Sequence, residues 1–178
     1  MLEGIIREST NKSATKALRR DGYLIANIYG KGLENINAAF KMGEYIRTVR
    51  KKETLAFPVN IDGKEMNVVV QSYEAHPVTG DLLHVDLLVA QPGVETTYNV
   101  PVVPFGEAIG LKNKGLVHIA KRRLRVRGKI EDIPNSIRID VTNMDTGDSK
   151  LVRDLEPIPN VKIVDADRVA LVSIIKAK

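Results

Sequence analysis

Cysteine is absent from the 178 residues. That excludes disulfides, a thiolate nucleophile and every cysteine-ligated zinc site, and it fits a reducing compartment. Tryptophan is absent and aromatics total 4%, too few for a platform on which successive bases of a single strand would stack. No apolar run approaches the roughly 18–20 residues needed to span a bilayer. The opening MLEGIIREST lacks the basic region and long apolar stretch of a secretory signal. These absences predict a soluble, cytoplasmic protein with no membrane partner. Enzyme signatures are missing too. There is no Gly-x-Ser-x-Gly elbow and no GxxxxGK phosphate loop; Gly30-Lys31-Gly32 reads as a glycine-rich turn after a strand, without the Ser or Thr and the helix start such a loop needs.

What is present suffices for a real core. Apolar residues make up 43%, well above the level of a disordered chain. The net charge is +5 with a pI near 9.4, which points toward a polyanionic partner only where the charge is clustered. Ala90-Gln91-Pro92-Gly93 carries a strong turn signal after a clear strand, and it divides the chain into domains 1–91 and 92–178. Residues 1–91 hold 12 cationic and 11 acidic side chains, net +1, and residues 92–178 hold 15 and 11, net +4.

Both halves read as mainly β with short helices. In the first, residues 2–8, 23–29, 54–61, 65–73 and 82–89 are the candidate strands. Asp62-Gly63 is a pair suited to the positive φ of a hairpin turn. Along 82–89, Leu83, Val85, Leu87 and Val89 share one face, and Leu82, His84, Asp86 and Leu88 share the other. Helical spacing appears over Ser13–Arg20, with Ala14, Ala17 and Leu18 on one side, and over Gly43–Lys51, with Tyr45, Ile46 and Val49 inward. Asp21-Gly22 stops the first helix. Many short strands with few helices indicate a small barrel or sandwich. In the second half the candidate strands are Thr97–Val103, Leu116–Ala120, Arg122–Val126, Ile137–Val141, Val161–Val164 and Val169–Ile175.

Three places carry chemistry. Lys12, Lys16, Arg19 and Arg20 form a basic stripe on the first helix; its plain reading is a solvated face, its functional reading phosphate contact with release of counterions. His84-x-Asp86 puts two polar groups on one strand face. A metal would need a third ligand at suitable spacing, which the sequence does not supply, so no metal or cofactor is expected. As recognition groups they fit an RNA minor groove, which is wide and shallow and displays base edges and 2′-hydroxyls. An acceptor-only carboxylate is repelled by phosphate but accepts from a guanine or cytosine amino group. Lys121–Lys129, KRRLRVRGK, is the densest charge cluster. A strand there sets Leu124 and Val126 against Arg123, Arg125 and Arg127, and its cationic face either meets an anion or is balanced by Glu131, Asp132, Asp140 and neighbouring acids.

The order of these segments resembles a known family. Lys16 to Gly30, KALRRDGYLIANIYG, is similar to an RRxGxxPxxxYG opening, with Ile25 where that pattern has proline. Val70-Gln71, His76-Pro77 and Leu83-His84-Val85-Asp86 are similar to a VQ…HP…HVDF series, with Leu87 in place of Phe. Val100-Pro101-Val102, Gly106-Glu107-Ala108, Lys114-Gly115-Leu116, Asp132-Ile133-Pro134, Gly147-Asp148 and Asp154-Leu155 extend the likeness to nearly the whole chain. The chain thereby resembles the long form of the bacterial large-subunit ribosomal protein L-twenty-five family, also called the general stress protein CTC family. The resemblance implies an N-terminal β-barrel that binds 5S ribosomal RNA, a β-rich C-terminal module, a structural role in the large ribosomal subunit supporting translation, neighbouring ribosomal proteins as further partners, and no small-molecule substrate. It implies RNA contacts at Arg7, Arg19, Tyr29, His84 and Asp86, supported by Lys16, Arg20 and Gln71; separately, the charge density over 121–129 makes Arg123, Arg125 and Arg127 a second candidate contact. The alternative expectation is a stress-response protein-interaction module without an RNA partner.

Overall fold

The computed structural model describes residues 1–176; Ala177 and Lys178, the last two residues assigned to the second domain, lie outside the described residues. The chain forms two compact units, Met1–Pro92 and Gly93–Lys178. The first runs β1 (Leu2–Ile6), α1 (Lys12–Arg20), β2 (Tyr23–Gly30), β3 (Leu33–Lys41), α2 (Met42–Lys51), β4 (Phe57–Ile61), β5 (Lys64–Ala75) and β6 (Leu82–Val89). Its six strands close into a barrel in the order β1-β3-β2-β6-β5-β4. Two pairings are parallel, β2 with β6 and β1 with β4, and the rest are antiparallel. Closure leaves no exposed sheet edge.

Alternation sends Leu24, Ala26, Ile28, Ala38, Phe40, Val59, Ile61, Val68, Val70, Val85 and Leu87 into the interior. Helix α2 adds Tyr45, which is buried, with Ile46 and Val49 packed against the same cluster, as its periodicity predicts. The rings of Phe40 and Tyr45 lie 6.4 Å apart. At Gly4 the interior admits no side chain, because a Cβ there would come within 2.5 Å of both Phe40 and Ile61. Asp62 and Gly63 take φ of 51° and 77° and turn β4 into β5, as their residue types predict.

Some boundaries differ from the sequence reading. The first strand ends at Ile6 rather than residue 8, and the fourth begins at Phe57 rather than residue 54. Strand β3 was not foreseen. Its Asn and Ala residues have low β propensity, yet pairing with β1 and β2 holds it in place. Ala17 is exposed, and α1 instead turns Ala14, Thr15 and Leu18 toward the barrel. The sheet beneath it explains this. Ile25 and Ala39 point outward and are still buried, and α1 packs on β2.

The second unit holds β7 (Thr96–Phe105), α3 (Ile109–Lys112), β8 (Gly115–Ile119), β9 (Arg123–Gly128), β10 (Ile137–Asp140), β11 (Ser149–Leu151), β12 (Lys162–Ile163) and β13 (Ala170–Lys176). They form a sheet of order β10-β7-β9-β12 and another of order β11-β13-β8. Tyr98, Val100 and Val102 on β7, Leu124 and Val126 on β9, and Ile137 and Ile139 on β10 are buried at alternate positions. Helix α3 and strand β11 are too short to leave a periodic signal and were not foreseen.

Candidate nucleic-acid interface

The first unit gathers polar side chains on the outer wall of β2, β5 and β6. In β6, Val85 and Leu87 point inward and are buried, while His84 and Asp86 face out, half-buried. His84 Nδ1 lies 3.7 Å from Asp86 Oδ1, too long for a hydrogen bond. Ser72 donates its hydroxyl to Asp86 Oδ2. That contact depends on a bulge. The register passes from Val70↔Leu87 to Ser72↔Asp86, so Gln71 is the inserted residue and Ser72 is thrown to the outer face. An uninterrupted period of two would have put Ser72 inside.

Parallel pairing sets Ile25 beside His84 and Asn27 beside Asp86. Tyr29 follows two residues on. Burial, and then the nearby Asp86 carboxylate, push its phenol pKa above the ordinary tyrosine value. It therefore stays protonated at neutral pH and keeps a hydrogen-bond donor.

Helix α1 is fastened to the barrel at two points. Arg7, just past β1, donates from Nη2 to Thr15 Oγ1 at 2.8 Å, and its backbone N–H bonds to the Asn37 carbonyl. Arg19 donates from Nε and Nη2 to the Leu83 carbonyl at 3.2 and 3.0 Å. The guanidinium thus reaches the strand that carries His84 and Asp86. Arg19 spends two of its five N–H groups on the protein, so part of it is a fastening rather than an open phosphate contact. Lys12, Lys16 and Arg20 are exposed on the helix's outer side. Asp21 and Gly22 end the helix by donating to the Ala17 and Arg19 carbonyls.

Asn27 and Ser72 on this wall, Thr15 on the helix laid against it and Asn37 on the adjoining β3 were missed from sequence. Ser72 was hidden by the bulge and Asn37 by its unrecognised strand. Thr15 was hidden by the misjudged face of α1. Asn27 could have been noticed, since it sits outward by strict alternation in a recognised strand.

The second unit carries the other cationic group. Arg125 and Arg127 are exposed and Arg123 half-buried on β9, opposite the buried Leu124 and Val126, as the alternation predicts. The acid that engages Arg125, together with Lys121, is Asp165. Asp165 is buried; it accepts from the Arg125 backbone N–H at 2.8 Å and from Nε at 2.9 Å, and Lys121 Nζ lies 2.6 Å away. The charge there is therefore partly neutralised within the fold. Asp140 instead accepts from Thr142. Arg127 lies 4.0 Å from Glu95, and Lys162 pairs opposite Arg127 on β12. Among the described residues no group of three His, Asp or Glu side chains could hold a metal ion, and no helix is long and apolar enough to cross a membrane.

Residues 2–87 match the profile of the Ribosomal L25p family, and residues 95–178 match that of the Ribosomal protein TL5, C-terminal domain. The chain is 72% identical to the large ribosomal subunit protein bL25 of Sulfurimonas denitrificans over 178 residues, all of both chains. Over the same full length it is 62% identical to the bL25 of a Nitratiruptor species and 60% identical to that of Campylobacter lari.

Proposed function

Because this chain belongs to the Ribosomal L25p family, we propose that its first unit binds 5S ribosomal RNA through the outer wall of β2, β5 and β6 and the helix laid against it. The protein is a structural component of the large ribosomal subunit and not an enzyme. Its place is the cytoplasmic ribosome, with rRNA and neighbouring ribosomal proteins as partners and no small-molecule substrate or membrane.

The observation that carries the reading is the hold of Arg19 on the Leu83 carbonyl. It makes the cationic helix and the His84–Asp86 strand one surface. Lys16 and Arg20, exposed on that helix, supply phosphate contacts that set position without reading sequence. Arg7 and Arg19 contribute their remaining N–H donors. Tyr29, Gln71, His84 and Asp86 face sugars and base edges across a minor groove. Asp86 matters most for selectivity, because a carboxylate rejects phosphate and accepts only from amino or hydroxyl donors. In the second unit, Arg123, Arg125 and Arg127 form a weaker candidate contact, since Asp165 already engages Arg125.

A salt titration of the full chain against 5S rRNA and an unrelated RNA of equal length tests this. RNA binding through several phosphates gives an affinity that falls steeply and linearly on a log–log plot, with a constant preference for 5S rRNA. Equal affinity for both RNAs, or association insensitive to salt as a protein-interaction module expects, would overturn it.

A further inference from the structure

The outer wall does not stop at β2. The registers place Asn27 directly opposite Asn37 on β3 and directly beside Asp86 on β6. The Arg7 backbone N–H bonds to the Asn37 carbonyl on the far side. Arg7, Asn37, Asn27, Asp86 and Ser72 therefore form one transverse row, from the residue just past β1 across β3, β2, β6 and β5, all outward. With strands about 4.8 Å apart, the row spans roughly 19 Å, more than a pair of contacts on one strand needs.

Asn is poorly suited to the middle of a strand, and two of them face each other here. Side chains directly opposite in an antiparallel pair have Cβ atoms about 4.5–5.5 Å apart, so one ligand edge can meet both amides. Neither is bonded to the other. Asn27 Oδ1 has no hydrogen-bond partner and is shielded from solvent, a condition that costs stability. Asn37 is exposed. Stability therefore does not explain the pair, and its neighbours in the row include Arg7 and Asp86, which the proposed function sets against RNA.

Resting on the reading of this wall as an RNA-binding surface, we infer that the Asn27–Asn37 amide pair extends the contact across β2 and β3 and hydrogen-bonds ribose 2′-hydroxyls and base edges. A carboxamide both donates and accepts, so it complements the donor–acceptor pattern of a minor groove, whereas Asp86 beside it can only accept. The pair adds no charge, and its contribution lies in discrimination rather than in phosphate attraction.

The test compares the full chain with Asn37→Ala and with Asn27→Leu/Asn37→Leu for binding 5S rRNA and the unrelated RNA across salt. Asn60→Leu is the control, because its Oδ1 is likewise shielded and unpartnered but lies on β4, outside the row. The expected result is about threefold to tenfold weaker 5S binding for Asn37→Ala and a larger loss for the double variant. The salt slope, the affinity for the unrelated RNA and the Asn60→Leu affinity stay unchanged. Wild-type 5S affinity in both row variants overturns the inference while leaving the barrel's RNA role intact. So does an equal loss in Asn60→Leu, which would mark a structural effect. A melting curve on each variant identifies unfolding, and exposed Asn37→Ala keeps the test decisive if the double variant fails to fold. If the wild-type chain does not prefer 5S rRNA, the parent reading fails first and takes this inference with it.

Discussion

At the scale of single residues, two aspartates illustrate opposite uses of a carboxylate. Asp86 sits half-exposed and accepts from Ser72. Removing it uncovers no buried charge, so its loss should be felt in binding rather than folding. Asp86→Ala is expected to weaken 5S rRNA binding by about 1–3 kcal/mol with little change toward unrelated RNA, read from paired titrations. Equal weakening of both would make Asp86 structural. Asp165 is the converse case. Burial raises its pKa, but the hydrogen bonds from Lys121 and Arg125 outweigh that and leave it below the ordinary aspartate value. A lowered folded-state pKa means stability that is fully present above the unfolded value near 3.8 and is lost as pH falls through the folded one. Asp165→Asn is expected to destabilise the second unit by about 1–3 kcal/mol at neutral pH. The figure falls below the roughly 3–5 kcal/mol of a fully buried broken pair, because Lys121 and Arg125 are themselves partly exposed. Thermal melts at pH 7 and pH 3 check both parts: the variant's deficit should shrink in acid.

At the scale of elements, α1 has nine residues, too short to hold a helix alone in water. Its position comes from Leu18 and Ala14 against the barrel and from the Arg7–Thr15 and Arg19–Leu83 bonds. Lys16 takes no part in that fastening. Lys16→Ala should therefore leave the melting temperature unchanged, weaken binding to every RNA, and lower the salt slope by about 0.7–0.9. An unchanged slope would return Lys16 to the solvent. Strand β1 carries a different constraint, since it closes the barrel by pairing with both β3 and β4. Gly4→Val would push branched carbons into Phe40 and Ile61. A loss of about 1–3 kcal/mol or more is expected from such overpacking, measured by denaturant unfolding.

At the scale of the whole molecule, two units with separate cores share the charge unevenly, net +1 over residues 1–91 and net +4 over 92–178. The more cationic half is not the one whose polar groups converge. In the second unit Arg125 is committed to Asp165, so a variant meant to probe its basic face should spare that residue. Arg123→Gln/Arg127→Gln is expected to shallow the salt dependence of association with the large subunit while leaving the preference for 5S over unrelated RNA in place. An unchanged slope would exclude this face as an RNA contact.

Features that depend on local order could be read from the residues alone. Alternation in LLHVDLLV separated Val85 and Leu87 from His84 and Asp86, Asp62-Gly63 set a hairpin, and the charge pattern of α1 was readable because its exposed side has a period of its own. Features that depend on pairing arise only when distant segments meet. Only the barrel could make a strand of Leu33–Lys41, whose Asn and Ala residues favour no sheet. Only the bulge at Gln71 could turn Ser72 outward, and only the lateral pairing of β1 with β3, β3 with β2 and β2 with β6 could bring Arg7, Asn27 and Asp86, far apart in sequence, into one row. A side chain's own strand fixes which face it takes. Its neighbours on that face come from hydrogen-bond register between distant segments, which one-dimensional periodicity does not contain.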